Sequence, residues 1–248
     1  MVPVAQLMEA AKTGLFTCLE SFRRYQTSPS LDRIPIDHFK QRSYIVRHAD
    51  MEDLAAMDRL EKACWATHLR APRERLARRV ELYPEGQFVM ELDGRIAGVI
   101  YSQRINDYTQ LDGLTDAEAE HLHTPDGVIV QLLAANVDPD FQKRGLGDQL
   151  REFVLQISAL TPGVKSVAGV TLCSGYDKHP DICLEDYIHL RDSEDNALDP
   201  TLRFHASQGA RILRLVPGYR PADTANLGAG VLIEYDLRSR YETSDLSA

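Results

Sequence analysis

The stretch Val137-Asp138-Pro139-Asp140-Phe141-Gln142-Lys143-Arg144-Gly145-Leu146-Gly147 constrains this chain more than any other. Before it runs a nearly unbroken apolar segment, Val128 to Val137, which reads as a central strand buried on both faces. After it, Leu146, Leu150, Phe153, Val154 and Ile157 recur at helical spacing and predict an amphipathic helix. A strand, a glycine turn and a helix in immediate succession leave the first helical amides without intrahelical partners. They also place partial positive charge at that end. Gly145 and Gly147 let the backbone close around one point, and Lys143 and Arg144 add charge. The unit is an anion site suited to a pyrophosphate. The spacings of the two common nucleotide-binding glycine loops, G-x-G-x-x-G and G-K-[ST], are absent.

Around this unit the chain alternates strands and helices. Tyr44 to Val46 suits a short strand. Asp50 starts a helix, with Asp53 three positions on as a carboxylate capping box, and Leu54, Met57, Leu60 and Cys64 make its apolar face. Arg73 to Leu82 predicts a second helix whose arginines read as a solvated face. FVMEL and IAGVIYSQRI flank Asp93-Gly94, so Gln87 to Ile105 reads as a hairpin. Leu111 to Asp126 is polar and loop-like. Pro162-Gly163 ends the helix of the glycine turn, and Val164 to Cys173 is the next strand. Ser174 to Asn196 is too long for a plain connector and reads as a lid or docking loop. Asp199-Pro200 opens a short helix that Gly209 closes, and strands around Ile212 to Val216 and Gly230 to Leu237 come after it.

Residues 1–42 stand apart. Val4, Leu7, Met8, Ala11, Leu15, Cys18, Leu19 and Phe22 fall at helical spacing, and Pro29 and Pro35 break the polar stretch after them. This part reads as a helix and linker, and 43–240 as the main domain.

Composition bounds the partners. A formal charge of −9 disfavours nucleic acid. No apolar run is long enough to span a membrane, and the N-terminus lacks the pattern of a signal peptide. The four cysteines form no C-x-x-C pair and read as reduced thiols, which suits the cytoplasm. Cys173 reads as a nucleophile or, more commonly for cysteine, as a small apolar strand residue. His121 and His123 are weak evidence for a metal, and none is expected.

V-x-P-x-x-Q-x-x-G-x-G resembles the acetyl-CoA-binding motif of the GNAT superfamily. The resemblance implies an α/β GNAT fold. Its mixed central sheet of about seven strands would splay between the strands ending near Val137 and Cys173, with flanking helices. Ala135 and Val137 would meet the pantetheine of coenzyme A, and Gln142, Lys143, Arg144, Gly145 and Gly147 its pyrophosphate. Further stretches, in order CW, YPEGQFVMELDGRIAGVIYSQRI, VQLLAANV, QKRGLGDQL, GVT-C, YIH, DPTLRFH, GA and PGYRP, are similar to the GNAT-like decarboxylase domains of polyketide synthase loading modules, the curacin loading domain among them. That resemblance covers about residues 45–238. It implies catalytic roles for Thr171 and His205, and an acyl pocket flanked by Trp65 and Arg220. It also implies malonyl or methylmalonyl thioesters of coenzyme A, or of the phosphopantetheine of an acyl carrier protein, as substrates. The carrier protein and neighbouring synthase domains would be partners, with acyl transfer to the carrier thiol as a second step.

The residues themselves leave alternatives open. Relatives that acetylate amines often carry a carboxylate base near the central strand, and Val128 to Val137 has none. They often carry a tyrosine where this chain has His205, four residues before Gly209. An imidazole titrates near neutrality, and protonated His205 is expected to return a proton to carbon. Thr171, read as mid-strand, is a hydrogen-bond donor or an ordinary β-branched strand residue. Trp65 is a water-excluding wall or a core residue, and Arg220 an anion ligand or a surface arginine. A conventional acetyltransferase using acetyl-CoA, and a non-catalytic module that binds acyl-CoA or a carrier protein, both stay open.

Overall fold

A computed structural model describes residues 44–237. The expected N-terminal helix and linker at 1–42, with residues 43 and 238–240, lie outside the described residues. In chain order the elements are β1 (Tyr44–His48), α1 (Leu54–Cys64), α2 (Arg73–Leu82), β2 (Gln87–Leu92), β3 (Arg95–Ile105), α3 (Asp116–Ala119), β4 (Ile129–Val137), α4 (Leu146–Leu160), β5 (Ser166–Thr171), α5 (Leu184–Tyr187), α6 (Pro200–Ala206), β6 (Ala210–Val216) and β7 (Gly230–Asp236). Among the described residues the strands form one seven-stranded sheet, ordered β1-β2-β3-β4-β5-β7-β6. The β4–β5 pair is parallel and the others antiparallel.

Local chemistry sets the element ends. The Asp50 carboxylate accepts from the amides of Glu52 and Asp53, while Asp53 accepts from the Asp50 amide, so the capping box precedes α1 as expected. Asp93 and Gly94, with φ of 52° and 72°, close the β2–β3 hairpin in left-handed conformations that suit the strand twist. Helices cover both sheet faces. One core joins Leu150 and Leu155 of α4 and Leu202 of α6 to Val130, Val167 and Tyr235. The opposite core packs Met57, Leu60, Leu76 and Val80 against Val89 and Val99.

Several expectations change. Two arginines of α2, Arg73 and Arg78, are exposed as expected, but Arg75 and Arg79 are not. Arg79 is buried against Glu120, and Arg75 bonds Asp116 and Glu120 at 2.8 and 2.6 Å. A buried guanidinium is retained only with such partners. The segment 174–196 is not a lid. Its Tyr176, Leu184, Tyr187 and Ile188 are buried in the α4–α6 core. Ile157 sits at the edge of the α4 stripe, 38 % exposed. Thr171 is the last residue of β5 and not mid-strand.

The last change positions the site. Tyr101 pairs with Ala134 but Ser102 with Leu132, so Leu133 is the extra residue of a bulge in β4. β4 then pairs with β5 only over Ile129–Leu132 against Ser166–Gly169. Beyond that the strands part, and Ala135 is exposed. The strand is thus buried on both faces only in its first half.

Asp199 ties the packed segment to α6. One oxygen accepts from the amides of Thr201 and Leu202 at 2.9 and 3.1 Å. The other accepts from the Gly175 amide and the Tyr187 hydroxyl at 2.9 and 3.1 Å. At 1 % exposure, water cannot replace it. Asp199→Ala is expected to lower unfolding free energy by about 3 kcal/mol, combining a lost cap with stranded donors. Urea denaturation followed by circular dichroism checks this.

Candidate active site

Where β4 and β5 part, a cavity of about 190 Å³ opens, lined by Trp65, Leu133, Ala135, Thr171, Phe204, His205 and Arg220 among others. Thr171 and His205 meet there because α6 lies across the end of β5. The His205 Nε2 is 3.2 Å from the Thr171 hydroxyl, and its Nδ1 is 2.6 Å from the Tyr235 hydroxyl. Burial, with the nearby Arg151 cation, pushes the imidazole down to about 3. His205 is therefore neutral at physiological pH, and the expectation of a resident imidazolium that reprotonates carbon does not hold.

That shift has a consequence for folding. An unfolded chain protonates this histidine near its ordinary pKa of about 6.5. A neutral folded imidazole therefore contributes stability that is full above that pH and is lost as pH falls from about 6.5 toward 3. The chain is expected to be less stable to urea at pH 5 than at pH 7.5, and His205→Gln is expected to shrink that difference.

Trp65 ends α1, and its position is held from below. Its indole N–H donates to Asn136 Oδ1 at 2.7 Å, Asn136 donates to Glu61 at 2.7 Å, and Glu61 accepts from the Ala71 amide at 2.8 Å. The Arg220 guanidinium lies over the Trp65 ring, 4.9 Å from its centroid. Its Nε and Nη1 are buried without a hydrogen-bond partner. The loop that carries Arg220 is braced to the end of β5. Asn226 accepts from the Cys173 amide at 3.0 Å and donates to Asp223 at 2.8 Å, while the Arg220 amide donates to the Gly228 carbonyl at 3.0 Å. Arg220 is half-buried, and two guanidinium nitrogens without a partner beside the cavity suit it to hold an anion there.

The glycine turn lies at the start of α4. Gly145 caps the helix at φ 76°, and Lys143 is left-handed too at φ 59°. That geometry leaves Gln142, Lys143, Arg144 and Gly145 exposed, with the leading amides of a fifteen-residue helix beside them. Gly147 packs toward Phe204, whose ring would lie 3.7 Å from an added Cβ. Ala135 lies on the β4 edge that faces the gap. Val137 is already engaged: its carbonyl accepts from the Gln142 side chain at 2.9 Å and the Cys64 thiol at 3.3 Å. A pantetheine amide would have to displace Gln142 to pair with it.

Other candidates fall away from the cavity. Burial pushes the Cys173 thiol up to about 12, which suits packing and not nucleophilic attack. His121 bonds Arg78, and His123 accepts from the Arg104 amide. Sequence reasoning missed Tyr235, Asn136, Glu61 and Asn226; only Asn136 lies in one of the stretches quoted above, VQLLAANV, and there its side chain was not singled out. The alternation of β7 was the one available signal, since it aims Val231, Ile233 and Tyr235 at the same face as Thr171.

The model of the acetyltransferase (GNAT) family matches residues 54–174. The crystal structure of the loading GNATL domain of CurA from Lyngbya majuscula is 44% identical, with a TM-score of 0.79, over 80% of this chain and all of that one. The chain belongs to the GNAT family. This GNAT domain is also similar to the GphF GNAT-like decarboxylase, solved in complex with isobutyryl-CoA. The identity is 41% and the TM-score 0.74, over 78% of this chain and all of that one. Among curated proteins, the probable hydrolase YhcX of Bacillus subtilis is 26% identical over 83% of this chain. The chain spans only 40% of YhcX. The family match ends at 174, before His205 and Arg220. Among the described residues no helix is long and apolar enough to cross a membrane.

Proposed function

We propose that this GNAT domain decarboxylates malonyl or methylmalonyl thioesters, of coenzyme A or of a carrier protein, to supply an acetyl or propionyl starter for polyketide synthesis. The observation that carries the reading is Arg220, a cation with two unpartnered buried nitrogens beside the Thr171–His205 pair. An acetyl group would give it no anion to bind. A β-carboxylate would.

The chemistry follows from the placement of charge. The bond between the α-carbon and the carboxylate breaks, CO₂ leaves, and the electron pair moves onto the thioester carbonyl as an enolate. A donor at the enolate oxygen lowers that barrier, because it strengthens as charge develops. Thr171 and His205 line the cavity where that oxygen would lie. Arg220 holds the carboxylate, and the Trp65 ring shields it from water. A proton then adds at the α-carbon from water, since His205 is neutral.

Among the described residues that line the cavity there is no Asp or Glu. An amine acceptor needs a base to remove its proton, and decarboxylation needs none, which favours this reading over conventional acetylation. Arg144, Lys143 and the α4 amides would hold the pyrophosphate of coenzyme A. Acyl transfer to a carrier thiol is a second step of the same proposal, in which the carrier sulfur displaces coenzyme A and the thiol proton ends on the departing thiolate.

Mass spectrometry of malonyl-CoA and methylmalonyl-CoA after incubation with the domain, with and without a phosphopantetheinylated carrier protein, tests it. Loss of CO₂ is expected, and acyl mass on the carrier would establish transfer. Intact malonyl and methylmalonyl thioesters, with acetyl-CoA consumed in a parallel assay that offers amines, would overturn the reading.

A further inference from the structure

His205 lies between two hydroxyls, and the two contacts are unequal. Tyr235 Oη is 2.6 Å from Nδ1, and Thr171 Oγ1 is 3.2 Å from Nε2. A neutral imidazole has one N–H and one bare nitrogen, so it donates on one side and accepts on the other. Burial and Arg151 keep this imidazole neutral. The two possible tautomers have opposite consequences for Thr171. If Nδ1 carries the hydrogen, Nε2 takes the threonine proton and the hydroxyl turns lone pairs toward the cavity. If Nε2 carries it, the threonine oxygen accepts from the ring and its own proton faces the cavity.

Hydrogen bonds donated by O–H groups run shorter than those donated by N–H groups. The contact at Tyr235 has the length of the first kind, and the contact at Thr171 that of the second. A phenol is also a far better proton donor than an aliphatic hydroxyl, so it is the stronger competitor for the bare nitrogen. Tyr235 is placed for this by the sheet. It stands on β7, 1 % exposed, paired across to Val167 of β5, on the same face that carries Thr171.

We infer that Tyr235 is a positioning residue: its hydroxyl donates to His205 Nδ1, holds the ring as the Nε2–H tautomer, and so directs the Thr171 proton into the cavity. This rests on the decarboxylase reading for its use, since an enolate oxygen needs that proton. The tautomer itself is independent of the reaction. The arrangement runs opposite to a nucleophile activated by histidine, in which the hydroxyl gives its proton to the ring.

The full chain, labelled with ¹⁵N-histidine, is examined by NMR at pH 7, with the His205 signal assigned by its loss in His205→Gln. The wild type is expected to show Nε2 protonated and Nδ1 bare, and Tyr235→Phe to show a mixture of tautomers. Tyr235→Phe is also expected to lower kcat about tenfold with KM nearly unchanged. Added to Thr171→Val it is expected to cost nothing more, because its effect passes through that hydroxyl. An Nδ1–H tautomer in the wild type would overturn the inference, even if Tyr235→Phe did not fold. An unchanged tautomer in Tyr235→Phe, or an additive loss in the double variant, would overturn it too. Nε2–H in a wild type that leaves both thioesters intact would sink the decarboxylase reading and leave the tautomer assignment standing.

Discussion

Replacing Thr171 with valine is expected to lower turnover of malonyl-CoA by about 100- to 1,000-fold, the usual cost of removing one donor from a developing oxyanion. Valine is close in shape and equally β-branched, so β5 and the Val231 pairing should survive. Thr171 lies at the strand end, where one face meets the cavity and no further ladder pairing follows, so the change touches little besides the hydroxyl. The affinity for acetyl-CoA, which develops no charge when it binds, should stay within about twofold. Steady-state release of CO₂ and calorimetric binding of acetyl-CoA separate the two effects. Equal loss of both would mean that valine disturbs the cavity and that the hydroxyl has no special part in the chemistry.

The second large effect is expected at Arg220, where stability and activity should move in opposite directions. Arg220→Met keeps an unbranched side chain able to lie on the Trp65 ring and removes a charge with two unpartnered buried nitrogens. Relieving that desolvation should stabilise the fold by about 1 kcal/mol. The same change leaves the substrate carboxylate without its counter-charge. Breaking a desolvated charge pair in this way should lower kcat/KM for malonyl-CoA by about 100-fold. Arg220→Lys should recover only part of this, because an ammonium lacks the flat fork that stacks on the ring and grips a carboxylate. Thermal melts and initial rates on the same preparations decide it. A variant that melts lower and decarboxylates normally would remove Arg220 from the site and make it a packing residue.

Much of this protein is settled by residues close together in the chain. The Asp50–Asp53 box, the Asp93-Gly94 turn and the Asp199-Pro200 start act within a few residues, through bonds to the nearest amides. The strand that runs into Gly145 and then α4 is likewise local, and it carries both the fold family and the anion site. Thr171, His205, Trp65 and Arg220 were found by resemblance, and the fold brings all four to one cavity.

Their behaviour in that cavity was set by partners far away in sequence. A bulge at Leu133, fixed by pairing with β3, makes β4 leave β5 and so creates the cavity, although the run Val128 to Val137 reads as uniformly buried. Arg75 and Arg79 look solvated on a helix, yet Arg79 is buried and Arg75 half-buried because α3 and the turn after it bring Asp116 and Glu120 to them. Trp65 is held by Asn136 and Glu61, and His205 by a tyrosine thirty residues on. Its charge state is decided the same way. A histidine in the sequence is a group that titrates near neutrality, and only burial beside Arg151 makes it a neutral one. Caps, turns and amphipathic stripes depend on neighbours in the chain, so the sequence alone determined them. Desolvation and the pairing of buried charge depend on the groups that the fold brings alongside, so only the tertiary structure could decide them.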